Sequence, residues 1–139
     1  MNDALKGIHI LVVEDDADTR ELLKVLLETE GGTVVTTPSV QEALSAYDQL
    51  LPNVIVADIG MPESNGYTLI GRVRARDREH GRIVPAIALT AYTTAIDRDT
   101  VLSAGFQVHM PKPFEPSRLI SVIAELVAKY GASSSSSAP

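Results

Sequence analysis

A three-layer α/β sandwich, a parallel sheet with helices on both faces, is the fold class that this sequence predicts. Three observations carry it. Five short apolar runs rich in β-branched residues stand out as strands: "IHILVV" (8–13), "TVVTT" (33–37), "NVIVA" (53–57), "VPAIAL" (84–89) and "FQVHM" (106–110). A longer amphipathic, helix-length stretch follows each run, and parallel neighbours need a connection of that length. Runs such as "VIVA" lack the alternation of a half-exposed strand, as expected for a sheet buried on both sides.

The helices follow in order. Leu22, Leu23, Leu26 and Leu27 fall on one helical face, with Arg20, Glu21, Lys24 and Glu28 on the rest and Gly31-Gly32 as the stop. Residues 38–52 form the second helix, with Ser39 as N-cap and Gln41 and Glu42 in its first turn. A third helix starts near Asn65 and buries Leu69, Ile70 and Val73, while Arg72, Arg74, Arg76 and Arg78 form a solvated face interrupted by Asp77 and Glu79. A weaker helix over 94–104 ends at Gly105. The last has Pro116 in its first turn, buries Leu119, Ile120, Ile123, Leu126 and Val127, and closes near Gly131. This divides the chain into a lead-in (1–7), one folded domain (8–130) and a Ser-rich tail (131–139) that reads as a disordered linker or cloning remnant.

Composition narrows the function classes. The 139 residues suffice for one domain with a real core. A net charge of −6 argues against direct nucleic-acid binding, which relies on cationic groups displacing counterions. The chain contains no cysteine, which excludes disulfides, thiolate metal sites and cysteine nucleophiles. No apolar run approaches the roughly 20 residues of a membrane span, and "NDALKG" after Met1 is not a signal peptide, so a cytoplasmic location without membrane contact is expected.

In a sheet of this kind ligands bind beyond the carboxyl ends of the strands. The first strand delivers Glu14 and Asp15 there, with Asp16 and Asp18 just beyond; the third delivers Asp58, the fourth Thr90 and the fifth Lys112. Each alone has an ordinary reading: an Asp as a helix cap, a Thr as a turn residue, a Lys as a solvated charge. Those readings would all have to hold at one rim. Carboxylates converging there repel one another, and a hard divalent cation relieves them; oxygen donors without His or Cys favour magnesium.

"ILVVEDDADTRELL", "VIVADIGMPESNGYTLI", "ALTA" and "AGFQVHMPKPFEP", in this order, resemble the receiver domains of two-component response regulators, over residues 8 to about 130. The resemblance implies a flavodoxin-like, doubly wound fold, with a five-stranded parallel sheet in the order 2-1-3-4-5 and five helices. It implies a signalling domain, not an enzyme beyond its own phosphorylation and dephosphorylation, that accepts a phosphoryl group on Asp58 from a sensor histidine kinase or a histidine phosphotransfer protein. By the same likeness Glu14, Asp15, Asp58 and the backbone carbonyl of Gly60 hold Mg²⁺, with Mn²⁺ able to substitute and Glu14 acting mostly through a bound water. Lys112 and Thr90 contact the phosphoryl oxygens. Pro62 and Gly66 shape the loop after Asp58. Gly60, Ala91 and Tyr92 govern access to the phosphate, and the Lys112–Pro113 bond is cis.

Two positions depart from the family pattern. His109 stands where the switch residue that works with Thr90 is commonly Tyr or Phe, and Gly60 stands where receivers often carry a larger side chain. With no neighbouring His or Cys, His109 is not a metal ligand; His9 and His80 read as strand-edge and loop residues. The implied switch surface is the fourth helix, fifth strand and fifth helix, including Tyr92, Ile96, His109 and Phe114, and it offers a homodimer face. "DIGMPE" and the segment around Lys112 look like receivers of hybrid sensor kinases. No output domain follows residue 130, so a stand-alone receiver or one cut from a longer protein is expected.

Other classes fare worse. A haloacid-dehalogenase-type phosphatase needs a second acid two residues after its nucleophile, where this chain has Gly60. A flavodoxin-like carrier needs a phosphate-binding loop where this chain has "EDDAD", which repels phosphate. The alternative of another class is a phosphorylation-independent pseudo-receiver acting as an interaction module, but such modules usually lack an acid, the Thr/Ser or the Lys, all of which are present.

Overall fold

The computed structural model describes residues 3–59, 66–90 and 98–135, with the backbone alone for Arg98 and residues 131–135. The elements are β1 (His9–Val13), α1 (Ala17–Thr29), β2 (Thr33–Thr37), α2 (Val40–Leu50), β3 (Val54–Asp58), α3 (Gly66–His80), β4 (Ala86–Thr90), α4 (Arg98–Ala104), β5 (Val108–Pro111) and α5 (Pro116–Ser135). All strand pairs are parallel and the sheet runs β2-β1-β3-β4-β5, as expected. From β1 the chain goes outward to β2, then back across to β3. The order therefore reverses between β1 and β3, and in open α/β sheets ligands bind beyond the carboxyl ends of the strands at such a point.

Alternating strand positions feed two separate cores. Leu11, Val13, Ile55, Ala57, Ala86 and Ala88 pack with Tyr47, Leu69, Ile70, Val73 and Val101 of α2, α3 and α4. Ile10, Val12, Val54, Val56, Ile87 and Leu89 pack with Leu23, Leu27, Leu119 and Ile123 of α1 and α5. This two-sided burial is why the strands read as unbroken apolar runs. The lead-in joins the second core: Leu5 is fully buried and its N–H donates to the Glu30 carbonyl at 2.8 Å.

Helix termini follow their local chemistry. Asp16 caps α1 by accepting from the Thr19 N–H, and Ser39 caps α2 by accepting from that of Glu42. Past α1, Gly31 takes the left-handed conformation at φ +97°, as its place after the helix demands.

The structure corrects four expectations. Leu22 is 58% exposed, because α1 meets the sheet along the narrower stripe of Leu23 and Leu27, about 100° per residue further round the helix. Arg74 is not on a solvated face: it follows Ile70 by one turn and reaches inward to Asp77, Val84, Gly105 and Gln107. His80 belongs to the last turn of α3, its ring centroid 6.2 Å from that of Tyr47. Finally, α5 does not stop at Gly131 but continues to Ser135, since one helical glycine weakens a ladder without ending it. The expected start of the third helix at Asn65, and residues 94–97 of the fourth, lie outside the described residues.

Arg74 organises a buried polar cluster at the amino end of the sheet. Asp77, 2% exposed, accepts from the Tyr47 hydroxyl, from Arg74 Nη1 and, at 3.2 Å, from the Val84 N–H. Arg74 also donates to the carbonyls of Val84 (2.7 Å) and Gly105 (2.8 Å from Nη2) and to Gln107 Oε1 (2.9 Å). Burial, and then the bond to Asp77, push the Tyr47 hydroxyl far above its usual range, so it stays a neutral donor. One guanidinium thus ties α3 to the segments that precede β4 and β5.

Candidate functional site

Register places the site. Val13 lies opposite Ala57, so Glu14, the next residue, leaves β1 beside Asp58 at the end of β3. Asp58 lies opposite Leu89, which puts Thr90 one step beyond it; Thr90 lies opposite Pro111, which puts Lys112 one step further. The Lys112 N–H donates to the Thr90 carbonyl at 2.7 Å, and the Glu14 N–H to that of Thr37 at 3.0 Å, so the backbone ladder extends to the functional residues themselves.

At this edge Glu14, Asp15 and Asp58 each present a carboxylate oxygen, and the three oxygens lie within 4.8 Å of one another. Glu14 is buried, Asp58 partly so, and Asp15 exposed. Three oxygen donors at this spacing, with neither nitrogen nor sulfur among them, suit a hard divalent cation of the magnesium type. Asp16 stands apart from the cluster. Its carboxylate accepts from both the N–H and the hydroxyl of Thr19, at 2.8 and 2.6 Å, and these bonds hold it below the usual carboxylate range.

Lys112 faces the cluster from β5, with Nζ 2.8 Å from Glu14 Oε1 and 3.3 Å from Asp58 Oδ2. Burial raises the Glu14 carboxyl above its ordinary range, despite the bonds from Lys112 and from the Asp16 N–H, which oppose it. For Lys112 burial acts against the ammonium, but the hydrogen bond and charge of Glu14, with the charge of Asp58, outweigh it and the net direction is upward. The Lys112–Pro113 peptide is cis. Thr90, buried at 2% exposure, has Oγ1 3.0 Å from Nε2 of His109.

Gly66 shows why no side chain fits at the start of α3. A Cβ there would lie 2.4 Å from Cγ2 and 2.9 Å from Cα of Ile59, the residue that follows Asp58. Gly60, Pro62, Ala91, Tyr92 and Ile96, named for metal binding, loop shape, phosphate access and the switch surface, lie outside the described residues.

Arg20 escaped the sequence reading, which placed it on the solvated side of α1. Its Nη1 donates to the Glu14 carbonyl at 2.8 Å and reaches that of Asp15 at 3.4 Å, holding the acidic turn in place. One signal was available: a residue one turn into a helix is within reach of the loop that leads into it.

Residues 10–124 match the family model for the response regulator receiver domain. The chain is 46% identical over 119 residues to an uncharacterized 14.6 kDa protein of Leptolyngbya boryana, covering 86% of this chain and 89% of that one. It is 32% identical over 134 residues to hybrid signal transduction histidine kinase D of Dictyostelium discoideum, covering 91% of this chain but 8% of that protein. Among solved structures it is similar to a putative response regulator from Chloroflexus aurantiacus, with a TM-score of 0.79 and 31% identity over 88% of this chain and 99% of that one. No helix among the described residues is long and apolar enough to cross a membrane.

Proposed function

This chain belongs to the family of response regulator receiver domains of two-component signalling, and on that premise we propose that it takes a phosphoryl group onto Asp58 from a phosphohistidine. The observation that carries the proposal is the convergence of Glu14, Asp15 and Asp58 within 4.8 Å, with the Lys112 ammonium against two of the three. The donor is the phosphohistidine of a sensor kinase or of a histidine phosphotransfer protein. A domain built on residues 8–130, extended by the buried Leu5 of the lead-in and by the last turn of α5, performs the transfer in the cytoplasm.

An Asp58 carboxylate oxygen attacks phosphorus in line with the leaving imidazole nitrogen. The O–P bond forms as the N–P bond breaks, and the imidazole recovers its electron pair and takes a proton from solvent. Lys112 neutralises charge on a transferring oxygen, and the Thr90 hydroxyl donates to another. Glu14, Asp15 and Asp58, with the backbone at Gly60, would hold Mg²⁺, which when bound screens the repulsion between two anionic reactants. Phosphorylation then biases the surface formed by α4, β5 and α5 between two states, for a partner or a second copy of the chain to read.

Intact mass after incubation with acetyl phosphate and Mg²⁺ tests the proposal. A gain of about 80 Da, one phosphoryl group on an aspartyl nucleophile, is expected for the wild type and not for Asp58→Asn or a chelated control. An equal gain by Asp58→Asn would move the acceptor elsewhere.

A further inference from the structure

We propose that His109 is a positioning residue that sets the direction of the Thr90 hydroxyl proton, by donating from Nε2 to Thr90 Oγ1. The proposal rests on the phosphoacceptor reading above and adds to it a stated hydrogen-bond direction. Val108 and Met110 pack with the α1–α5 core, so His109 between them projects from the other face of β5. It lies opposite Ala88 in register, and Thr90, two residues further along β4, projects from the same face. The small Ala88 side chain lets the imidazole lie diagonally toward Thr90, and Nε2 comes within 3.0 Å of Oγ1.

The direction of that bond decides what Thr90 can do next. A hydroxyl has one proton to donate and two lone pairs to accept with. If Thr90 donates to a bare Nε2, it has no proton left for a phosphoryl oxygen, which only accepts. If Nε2 carries the proton and donates, the Thr90 proton is free to point at the phosphoryl group, and the chain from Nε2–H through the hydroxyl to the phosphoryl oxygen runs in one direction. Each bond in such a chain polarises the next. With the ring in its observed place, one protonation pattern at Nε2 is therefore compatible with a Thr90–phosphoryl bond. A phenyl ring of similar outline would pack in this position but supply no donor.

The test combines a spectroscopic signature with a rescue. Long-range ¹H–¹⁵N correlation spectra of the ¹⁵N-histidine-labelled chain, held phosphorylated by excess acetyl phosphate and Mg²⁺, report which ring nitrogen carries the proton. The His109 signals are identified by their loss in His109→Gln. A protonated Nε2 is expected; a bare Nε2 with the proton on Nδ1 overturns the proposal. In parallel, the rate of phosphorylation by acetyl phosphate is compared between variants. His109→Phe keeps the shape and loses the donor, and is expected to slow roughly tenfold, the upper end for one lost hydrogen bond to a neutral group. His109→Gln places an amide N–H as far from the backbone as Nε2 and should stay within about threefold of wild type. In a Thr90→Ala background the two variants should no longer differ. Phe retaining the rate while Gln loses it, or both falling together, overturns the proposal in favour of packing alone. A wild type that gains no phosphoryl mass instead refutes the phosphoacceptor reading and this inference with it, whereas a phosphorylated wild type with a bare Nε2 refutes only the inference.

Discussion

The ammonium of Lys112 lies 2.8 Å from Oε1 of Glu14, nearer than the 3.3 Å that separates it from Asp58. Glu14 is 1% exposed, so the lysine serves as counter-ion to a carboxylate with little access to water. Removing it leaves that carboxylate without its counter-ion, though still bonded to the Asp16 N–H. Lys112→Ala is expected to destabilise the metal-free chain at neutral pH by about 3 kcal/mol, the low end for breaking a buried pair because Lys112 is itself a quarter exposed. The pH dependence has a definite sign. The folded-state value of Glu14 is raised, so this group contributes stability in acid that is lost as pH rises through its elevated range. The deficit of Lys112→Ala should therefore be full at neutral pH and shrink on acidification. Urea denaturation at a series of pH values checks it, and a deficit that grows toward acid would contradict it.

Divalent cations should stabilise the fold through the acidic cluster. A ligand that binds only the folded state at about 100 times its Kd adds roughly 2.7 kcal/mol. Mg²⁺ is expected to raise Tm accordingly in the wild type and much less in Asp15→Asn. Asp15 is exposed, so its substitution should leave metal-free stability nearly unchanged. Differential scanning calorimetry with and without Mg²⁺ separates the two effects.

The cluster around Asp77 should matter for stability and not for the metal. It lies at the amino end of the sheet, away from Asp58. Asp77→Ala removes the counter-ion of the Arg74 guanidinium, which is 16% exposed, and the acceptor of the Tyr47 hydroxyl; a loss of about 3 kcal/mol is expected, since Arg74 keeps the Val84, Gly105 and Gln107 acceptors. Mg²⁺ affinity, measured by titration under conditions where the variant is folded, should remain within about threefold of wild type, the scale of the small couplings found between distant sites.

Two glycines of α3 make a contrasting pair. At Gly66 an added Cβ would collide with the backbone of Ile59, next to Asp58, so Gly66→Ala should lose about 1–3 kcal/mol by overpacking and weaken Mg²⁺ binding. At Gly71 an added Cβ meets nothing within 4 Å, and Gly71→Ala should gain about 0.5–1 kcal/mol from helix propensity. Thermal melts of both variants decide this, and equal effects would contradict the packing described at Gly66.

The strands and the site rim were legible for one physical reason, whereas the strand order followed only from the family resemblance. Strands buried on both faces must be apolar throughout, so the first chemically capable residue after each run, such as Glu14 after Val13 or Lys112 after Pro111, marks the sheet edge. The Asp58 run ends likewise. Long side chains hid the rest. Arg74 and Arg20 look like solvated charges in any local pattern, because their partners, Gly105 and Gln107 for one and the Glu14 carbonyl for the other, are chosen by tertiary packing and not by spacing. Leu22 misled because four leucines in two adjacent pairs span a wider arc than α1 buries. His109 was legible through the family resemblance as the residue that works with Thr90, while the 3.0 Å distance between them depends on the register of β4 against β5.

The central claim, that Asp58 is the phosphoacceptor, is tested most directly by trapping the acyl phosphate. The chain is incubated with acetyl phosphate and Mg²⁺, reduced with borohydride and mapped by peptide mass spectrometry. An aspartyl phosphate is reduced to homoserine, so homoserine at position 58, and at no other aspartate, is the predicted result. Homoserine at Asp15 or Asp16 with position 58 intact would contradict the account.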